Sequence, residues 1–361
     1  MTTVDQLEAS FRARSVLVVG GEGFLAQNAI RRLVGLGARV TSLVREQRRP
    51  LLAGVQRLIV GDMREAAVAQ DAIRDQEVVL NFAGVTSAVT SNRMPSVSLL
   101  EECLPHLSLL GACAEQASKP LIVFPSSRLV YGKPQYLPVD EGHQTHPTTV
   151  YGIHKLTVEH YLRVYRATAG LPFLILRISN PYGPHQLQQR GYGILNAFVQ
   201  QALAGEPIRL FGDGSQRRDF IFVDDLVEIM LHAIATPACH NEIYNVGGAE
   251  PVRLADAAGI IADEVAGTSI VHEAWPAEHL KVETGDYVGK LGKLSTMLPH
   301  LPFTPLREGV AATVKAYRNA GPPAPEHRTA RAGAKGKTER GEFVDGDVDD
   351  DQPLSPAAAI F

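Results

Sequence analysis

The fold of this chain is decided by one stretch, Ser15-Val-Leu-Val-Val19 followed at once by Gly20-Gly-Glu-Gly-Phe-Leu-Ala26. A short apolar run rich in valine is typical of a buried strand in a parallel sheet. The residues from Phe24 to Leu36 predict a helix, and Gly37 is placed to end it. A strand, a glycine turn and a helix in direct succession indicate the first unit of an α/β fold.

The glycine turn has the composition of a nucleotide-binding loop. Gly20 permits the tight turn, Gly23 lets the backbone approach a pyrophosphate, and Ala26 is small enough for close helix–strand packing. The helix begins at Phe24 and Leu25, where free N–H groups and the positive end of the helix dipole attract an anion. We therefore predict that the turn and these two helix residues bind the pyrophosphate of a dinucleotide.

Further strands and helices alternate along the chain. The predicted strands are Arg39–Val44, Arg57–Val60, Glu77–Phe82, Leu121–Phe124 and Phe173–Ile178, and the predicted crossover helices are Leu99–Ala117 and Val150–Ala169. This alternation predicts an α/β fold with a Rossmann-type, doubly wound parallel sheet. Later elements are a loop, a helix and short strands, at Pro181–Gly193, Ile194–Ala204, Arg209–Phe211 and Glu242–Val246. They suit a smaller C-terminal substrate-binding lobe over the carboxyl ends of the sheet.

These patterns also predict the domain boundaries. Residues 1–13 are an N-terminal extension, and residues 14–178 form the dinucleotide-binding domain, to which residues 219–238 return. Residues 179–218 and 239–318 form the substrate-binding lobe. From about Gly321 the composition turns to Pro, Ala, Gly and charged residues, so residues 319–361 are expected to be disordered.

Composition excludes several classes of protein. A length of 361 residues allows one large domain or two ordinary ones. The net charge of −4 provides no basic footprint for nucleic acid or for an anionic membrane. No apolar run reaches the roughly 18 residues of a transmembrane helix. Because Cys103, Cys113 and Cys239 match neither a disulfide framework nor a zinc site, we expect a cytoplasmic protein without a metal.

The end of the second predicted strand bears on the choice between NAD and NADP. An acidic residue there would bind the ribose 2′-hydroxyl, whereas an arginine accommodates a 2′-phosphate. Arg45 stands at this position, with Arg48 and Arg49 close behind. The sequence therefore favours NADP over NAD, and a solvated basic loop is the alternative interpretation.

Two further strand ends carry residues suited to a dinucleotide. Asp62 and Met63 follow the third strand, where the carboxylate and the Met63 backbone are placed to meet the adenine. Ala83 and Gly84 follow the fourth strand and are small at a point that the cofactor must pass. We therefore predict that NADP or NAD lies along the carboxyl edge of the sheet.

A catalytic pair is indicated by Tyr151-Gly-Ile-His-Lys155 at the start of a predicted helix. Positions i and i+4 lie on one helix face, so the phenol and the ammonium can serve one site. A nearby cation lowers the pKa of a tyrosine, and a phenolate near neutral pH can take a proton from a sugar hydroxyl. Because roughly one such spacing arises by chance in a chain of this length, its weight depends on the surrounding motifs.

Together these residues resemble an extended short-chain dehydrogenase/reductase of the nucleotide-sugar epimerase/dehydratase family, and the resemblance covers about Ser15 to Tyr317. Its marks are Gly20-x-x-Gly23-x-x-Ala26, Gly61-Asp-Met63, Pro125-Ser-Ser-Arg-Leu-Val-Tyr-Gly132, Tyr151-x-x-x-Lys155, Arg177-Ile-Ser-Asn-Pro-Tyr-Gly-Pro184, Gly212-Asp-Gly-Ser-Gln-Arg-Arg-Asp-Phe220 and Tyr244-Asn-Val-Gly-Gly248. Seven marks in the same order are far more specific than any one of them.

The resemblance implies roles for the catalytic residues. Tyr151 is the catalytic base, Lys155 holds the nicotinamide ribose and tunes Tyr151, and Ser127 hydrogen-bonds the reacting oxygen. It also implies a nucleotide-diphosphate sugar as the substrate.

The resemblance further places Asn180 and Arg218 where relatives contact the nucleotide diphosphate. A guanidinium matches phosphate geometry because it can donate two parallel hydrogen bonds. The alternative for Arg218 is a surface ion pair with Asp219 or Asp213.

Two departures from the family pattern narrow the chemistry. In the dehydratases and sugar-acid decarboxylases of this family, acids that act on C5, C6 or the carboxylate follow the active-site Ser or Thr, whereas this chain has Arg128 and Leu129. This argues against both reactions and leaves oxidation and reduction at carbon 4. Relatives often have Arg-Pro-Gly-Asp, whose Arg grips the diphosphate, near the place of Trp275 and Pro276. The nucleotide contact is therefore expected to differ, using Lys281 or Trp275.

The resulting hypothesis is an NAD(P)-dependent 4-epimerase of a nucleotide-linked hexose. The alternative is an NADPH-dependent reductase of a nucleotide 4-keto-6-deoxy-sugar, which the NADP interpretation of Arg45 supports. A non-catalytic NADP-binding regulator is disfavoured because the three catalytic residues are intact. Relatives commonly dimerise through two long helices, here Leu99–Ala117 and Val150–Ala169, so a homodimer is expected.

Overall fold

The structure is a computed structural model that describes residues 3–84, 87–186, 193–300 and 302–320. The helices are α1 Thr3–Phe11, α2 Phe24–Gly35, α3 Ala66–Ile73, α4 Ala88–Arg93, α5 Pro95–Glu102, α6 Leu104–Glu115, α7 Val150–Ala169, α8 Ile194–Leu203, α9 Val223–Ala235, α10 Leu254–Glu264, α11 Ala277–Val282, α12 Gly292–Met297 and α13 Leu306–Ala320. The strands are β1 Ser15–Val19, β2 Arg39–Val44, β3 Arg57–Val60, β4 Val78–Asn81, β5 Leu121–Ser127, β6 Phe173–Ile178, β7 Asn180–Tyr182, β8 Ile208–Phe211, β9 Arg217–Phe222, β10 Glu242–Val246, β11 Pro251–Arg253 and β12 Ile270–Glu273. Short 3-10 turns occupy Arg128–Val130 and Pro237–Cys239.

A large parallel sheet confirms the predicted α/β fold. Its seven strands follow the order β10-β6-β5-β4-β1-β2-β3, and every neighbouring pair is parallel. β1 lies between β2 and β4, and all five of its residues are buried. Burial on both faces explains why four of its residues, Val16 to Val19, form a continuous apolar run.

Helices cover both faces of the large sheet. On one face α2 and α9 pack together with α1, and Leu7 and Phe11 of α1 are buried in that core. On the other face lie α3, α6 and α7, represented by Leu109 and Val158 in the second core. The predicted N-terminal extension, residues 1–13, thus contributes a helix whose apolar side chains complete the first core.

The smaller lobe contains two small sheets, one with the order β11-β9-β7 and one in which β12 pairs with β8. A third core belongs to it, with Phe198, Leu210 and Val314 among its buried residues. However, Glu242–Val246 pairs with β6 in the large sheet, so its predicted place in the lobe is wrong. A short apolar run carries no information about which sheet it joins.

The predicted helix over residues 99–117 is two helices that meet at Cys103. Pro105 lies in the first turn of α6, where a missing N–H is tolerated, and it favours a new helix start. In contrast, α7 has the predicted bounds and ends at Gly170 in a left-handed conformation with a φ of 71°. The tail predicted to be disordered lies outside the described residues beyond Ala320.

Among the described residues, the 21-residue segment Pro95–Glu115 is long and apolar enough to span a membrane. This segment was not identified from the sequence as a candidate membrane span, because only uninterrupted apolar runs were considered there. Length and composition alone are weak evidence, because core helices of soluble proteins also pass this test and half of its most apolar window is buried here.

Candidate active site

The carboxyl ends of the parallel strands bring the predicted site residues to one edge of the sheet. Gly20 follows β1, Gly84 lies after β4, and Ser127 ends β5, in neighbouring positions of the strand order β5-β4-β1. Above this edge, the first turns of α7 contribute Tyr151 and Lys155, both buried. The edge where parallel strands end is the usual ligand-binding position of such folds.

Ser127 and Tyr151 are in direct contact. The Ser127 hydroxyl oxygen accepts a hydrogen bond from the Leu129 backbone N–H at 3.2 Å. Its own proton is then free to be donated to the Tyr151 phenol, and this hydrogen bond works to lower the pKa of Tyr151. The geometry therefore joins two of the three predicted catalytic groups.

The third group, Lys155, lies among aromatic rings. Its Nζ atom is 4.8 Å from the centroid of the Phe124 ring and 5.6 Å from that of the Tyr151 ring. Burial lowers the pKa of Lys155, and the nearby carboxylate of Glu102 opposes this effect. An ammonium in so apolar a place needs an acidic neighbour to remain charged.

Glu102 is a candidate site residue that the sequence analysis missed. Its side chain is only 1% exposed, at the end of α5. A Cβ atom placed on Gly84 would come within 2.7 Å of the Glu102 Oε2 atom, so the carboxylate reaches the predicted cofactor path. Nothing in the local pattern distinguishes this acid from the Glu101 side chain beside it, because burial there depends on the break between α5 and α6.

The predicted lowering of the Tyr151 pKa is not what the protein groups produce. Burial, followed by the charge of Glu102, raises the pKa of Tyr151 well above its ordinary value, and Ser127 offsets this only in part. The prediction is therefore wrong for the protein alone, because Lys155 faces the tyrosine ring and its carboxylate neighbour counteracts its charge.

The glycine turn has the form that a pyrophosphate requires. Gly20 has a φ of +74°, and a Cβ atom there would lie 3.0 Å from the carbonyl oxygen of Phe82, so only glycine fits without strain. Gly23 precedes α2, whose first turn has neither a side-chain cap nor an acidic residue. The first N–H groups of α2, at Phe24 and Leu25, are therefore available to an anion, and the turn fits a dinucleotide.

The basic loop after β2 differs from the prediction that favoured NADP. Arg45 Nη1 lies 3.2 Å from Glu101 Oε1, and the Arg45 side chain is 60% exposed. Glu22, within the glycine turn, accepts hydrogen bonds at 2.7 and 2.8 Å from the backbone N–H groups of Arg48 and Arg49. An acid is thus present beside the end of β2 after all, although it comes from the neighbouring loop.

The residues after β3 and β4 lie at the predicted edge of the sheet, but they differ in whether they could contact a cofactor. The Asp62 carboxylate is bound by Arg64, whose side chain and backbone both donate to it, so it is not a free ligand for adenine. Met63 is buried in the core beneath. Ala83 is half-buried and Gly84 is exposed with a φ of 127°, as a backbone lining a cofactor path would be.

Arg218 is not the surface residue considered as an alternative. It is 2% exposed, and its Nη2 atom lies 2.6 Å from Glu283 Oε1, whereas its Nη1 atom donates to the backbone oxygens of Arg217 and Gly285. The ion pair with Asp219 or Asp213 is therefore wrong as predicted. A diphosphate role for Arg218 would require Glu283 to give way. Asn180, which is half-buried, donates to the Asp219 backbone oxygen at 3.1 Å.

The segment that contacts Arg218 shows that the Arg-Pro-Gly-Asp pattern was predicted at the wrong place, near Trp275 and Pro276. Gly285-Asp286 matches the end of the Arg-Pro-Gly-Asp pattern, so Glu283 stands where relatives have the arginine. Trp275 instead packs against Phe211, with ring centroids 5.5 Å apart. Lys281 is exposed. Glu283 thus replaces the arginine of the pattern, and it forms an ion pair with Arg218.

Arg128 is a further buried arginine beside the segment that contains Glu283 and Gly285. Its Nη1 atom donates to Thr284 Oγ1 at 2.9 Å, and its guanidinium lies 5.4 Å from the centroid of the Tyr287 ring. Burial raises the pKa of the neighbouring Asp219 to about 7. No group of three or more metal-binding side chains occurs within the described ranges.

An apolar surface lies on α5 and α7, which overlap the two segments predicted to form a dimer interface, Leu99–Ala117 and Val150–Ala169. Its exposed members are Val97, Leu99, Leu100, Ile153 and Val164. Large apolar patches of this kind mark interaction surfaces. The homodimer itself stays a prediction.

Comparison with known proteins agrees with this geometry. Residues 16–247 match the family described as the NAD dependent epimerase/dehydratase family. A putative UDP-glucose 4-epimerase of Methanocaldococcus jannaschii is 28% identical over 253 residues, which are 69% of this chain and 82% of that protein. A dTDP-glucose 4,6-dehydratase of Streptomyces antibioticus is 26% identical over 318 residues, 84% of this chain and 92% of that protein.

A solved structure extends the likeness to the whole fold. The UDP-glucose 4-epimerase of Thermus thermophilus, in complex with NAD, superposes with a TM-score of 0.76 and 28% identity. The match covers 85% of this chain and all of that one. Epimerases and dehydratases thus both stand among the similar proteins, so the reaction has to be argued from the site.

Proposed function

This chain belongs to the NAD dependent epimerase/dehydratase family, and from that membership we propose that it is an NAD-dependent 4-epimerase of a nucleotide-diphosphate hexose. The observation that carries the proposal is the contact of Ser127 with Tyr151, beside Lys155 and at the edge formed by Gly20 and Gly84. A hydroxyl, a phenol and an ammonium in this arrangement are suited to proton transfer at a sugar alcohol.

In the proposed mechanism, Tyr151 and Ser127 act on the C4 hydroxyl of the sugar, and Lys155 lies beside Tyr151. Tyr151 takes the O4 proton and later returns it, while Ser127 donates a hydrogen bond to the oxygen as charge develops there. Lys155, with its Nζ atom 5.6 Å from the centroid of the Tyr151 ring, would hold the nicotinamide ribose. Burial keeps the pKa of Tyr151 raised in the protein alone. When bound, NAD supplies the hydride acceptor and, through the positive ring of its oxidised form, an attraction for the phenolate.

Dehydration is less well supported than epimerisation. Arg128 and Leu129 follow Ser127, and neither side chain can act as a carboxylic acid at C5 or C6. The reductase alternative depended on Arg45 as a ligand of the 2′-phosphate of NADPH. The pairing of Arg45 with Glu101 and the NAD dependence of the family weaken that support.

The direct test is incubation with NAD and a UDP-hexose or dTDP-hexose, followed by NMR of the C4 epimers. We expect interconversion without net NADH formation, and a loss of about 100- to 10,000-fold in Tyr151→Phe, the range that general-base catalysis contributes. Tyr136→Phe, at an exposed tyrosine, is the matched control and should retain activity. Consumption of NADPH by a keto sugar without epimer formation would identify a reductase instead, and full activity of Tyr151→Phe would exclude this catalytic site.

A homodimer through the exposed apolar surface of α5 and α7 is also part of the proposal. Leu100 is about half exposed on α5 in the single chain, as an interface residue would be. Light scattering should give twice the chain mass for the wild-type protein and the chain mass for Leu100→Glu. A monomeric wild-type protein at micromolar concentration would contradict it.

A further inference from the structure

A buried cation stands directly beside the reacting position. Arg128 follows Ser127 in the chain, in the short turn that leaves the carboxyl end of β5. It is only 8% exposed and lies between that strand end and Thr284 and Tyr287 of the lobe. Arg128 therefore starts from the same strand end as Ser127, the residue proposed to bind O4.

Most of the hydrogen-bonding capacity of this guanidinium is unused. A guanidinium carries five N–H donors. Among the described residues, Thr284 Oγ1 is the one acceptor of an Arg128 hydrogen bond, and the remaining contact is the face of the Tyr287 ring. A buried charged donor without acceptors is costly, so such a group calls for an anionic partner.

The charges around Arg128 also leave a positive excess. Arg218 is a second buried cation here, and the nearby Glu283 is already in contact with it at 2.6 Å. Asp219 accepts from the Gly289 backbone N–H at 2.9 Å, and burial raises its pKa to about 7, so near neutrality it is only partly charged. Burial and then Arg218 lower the pKa of Arg128 to about 10, whereas Glu283, Tyr287 and Asp219 act in the opposite direction.

We propose that Arg128 binds a carboxylate at C6 of the sugar, so that the preferred substrate class is a nucleotide-diphosphate hexuronic acid. The proposal rests on the 4-epimerase function, because it places Ser127 at O4. C6 is attached to C5, the neighbour of C4, so the residue beside Ser127 is within reach of its oxygens. A carboxylate accepts two parallel hydrogen bonds from a guanidinium, which a neutral CH₂OH group does not match.

Binding of three probes tests this inference without turnover. Isothermal titration of the NAD-loaded protein with UDP, UDP-glucose and UDP-glucuronic acid separates the contribution of the diphosphate from that of the C6 group. We expect the wild-type protein to bind UDP-glucuronic acid about 10- to 100-fold tighter than UDP-glucose, as hydrogen bonds to a charged group contribute about 1.5–3 kcal/mol. In Arg128→Gln this ratio should fall to about one, whereas the affinity for UDP should change less than about three-fold.

The matched control is Arg217→Gln, at an exposed arginine beside Arg218, and it should keep the wild-type ratio. A wild-type protein that binds UDP-glucose at least as tightly as UDP-glucuronic acid overturns the proposal. Equal weakening of all three probes in Arg128→Gln also overturns it, because Arg128 would then be a diphosphate ligand. If Arg128→Gln does not fold, the wild-type ratio and Arg128→Lys, which keeps the charge but loses the fork, still decide. Absence of epimerisation with an intact binding ratio would count against the proposed reaction and not against this inference.

Discussion

Two buried arginine clusters meet at the carboxyl end of β5, and they differ in how their charges are matched. In the closed cluster (Ser126, Glu159 and Arg177), the Arg177 Nε and Nη2 atoms lie 3.0 and 2.6 Å from the two Glu159 oxygens. Ser126 donates to the same carboxylate at 2.5 Å. Burial works to lower the pKa of Arg177, but the hydrogen bonds of Glu159 raise it above its usual value.

The open cluster (Arg128, Arg218, Asp219 and Glu283) is equally buried but unmatched. Glu283 binds Arg218 through its Oε1 atom and leaves Oε2 without a hydrogen bond, and no carboxylate accepts a hydrogen bond from Arg128 among the described residues. The pKa of Arg128 is lowered to about 10 by burial and then by Arg218. Burial alone therefore does not decide what an arginine does. A one-to-one bidentate pair fixes α7 to the sheet, whereas two arginines that share one acid are prepared for an anion from outside.

The largest effect should come from breaking the closed cluster. We expect Arg177→Gln to lower the free energy of unfolding by about 3–5 kcal/mol, because it leaves Glu159 buried without its cation. Denaturant unfolding measures it. The double variant Arg177→Gln/Glu159→Gln should recover a large part of the loss. A cost below about 1 kcal/mol for the single variant would show that the cluster is not a matched pair.

The next effect concerns the pH dependence that Asp219 confers. Its folded pKa of about 7 lies above the ordinary value of 3.8, so the native state keeps a proton that the unfolded chain releases between about pH 4 and 7. Stability should therefore fall as the pH rises through this window and level off above about 7. Asp219→Asn should remove this slope, which is at most about 1.4 kcal/mol per pH unit for one proton.

The control for this slope is Asp263→Asn, at an exposed surface pair with Arg307. Unfolding curves are collected at intervals of half a pH unit for all three proteins. Identical slopes for the wild-type protein and Asp219→Asn would mean that Asp219 is ionised in the native state across this range, and the open cluster would then be balanced.

A smaller effect on stability is expected from the open cluster itself. Arg128→Gln removes one hydrogen bond and a cation–π contact but also relieves the repulsion from Arg218. We expect a change in the free energy of unfolding below about 1 kcal/mol, in contrast to the same substitution at Arg177. A loss of about 3 kcal/mol or more would place Arg128 in the same class as Arg177 and remove the distinction.

The smallest effect on stability should come from the pair of Arg45 and Glu101, which is exposed to solvent, unlike the two buried clusters. Arg45→Ala should change stability by about 0–1 kcal/mol, because exposed pairs are well screened. Fluorescence titration should give an unchanged affinity for NAD. A strong loss of NAD binding would show that Arg45 contacts the cofactor in spite of its surface position.

Local sequence rules were sufficient for much of the fold. The valine run of β1, the turn at Gly20 and the helix α7 all have their predicted positions, because each depends on neighbouring residues alone. The pair Tyr151 and Lys155 is buried on α7 as its spacing predicted. The residues of β10 were assigned to the smaller lobe instead of the large sheet, and the packing of α1 on the core was not predicted, since burial against a distant surface has no local signature.

The charged part of the site could not be obtained in this way. Glu102 lies beside Lys155, and Glu283 beside Arg218, only because segments far apart in the chain fold together. The Arg-Pro-Gly-Asp pattern was predicted near Trp275, whereas its arginine position is that of Glu283. This error arose because the contact between Glu283 and Arg218 joins segments that are far apart in the sequence. Interactions between charges depend on separations and on burial, and neither can be counted along the chain.

By itself, the sequence determined the parallel sheet, the glycine turn and the shared helix face of Tyr151 and Lys155, because period-2 and period-3.6 patterns and i,i+4 spacings carry that information. Only the tertiary structure decided which acids neutralise which cations, and with it the pKa direction at Tyr151 and the unmatched charge at Arg128. The physical reason is that desolvation and Coulomb energy belong to the assembled interior, where residues remote in sequence become neighbours.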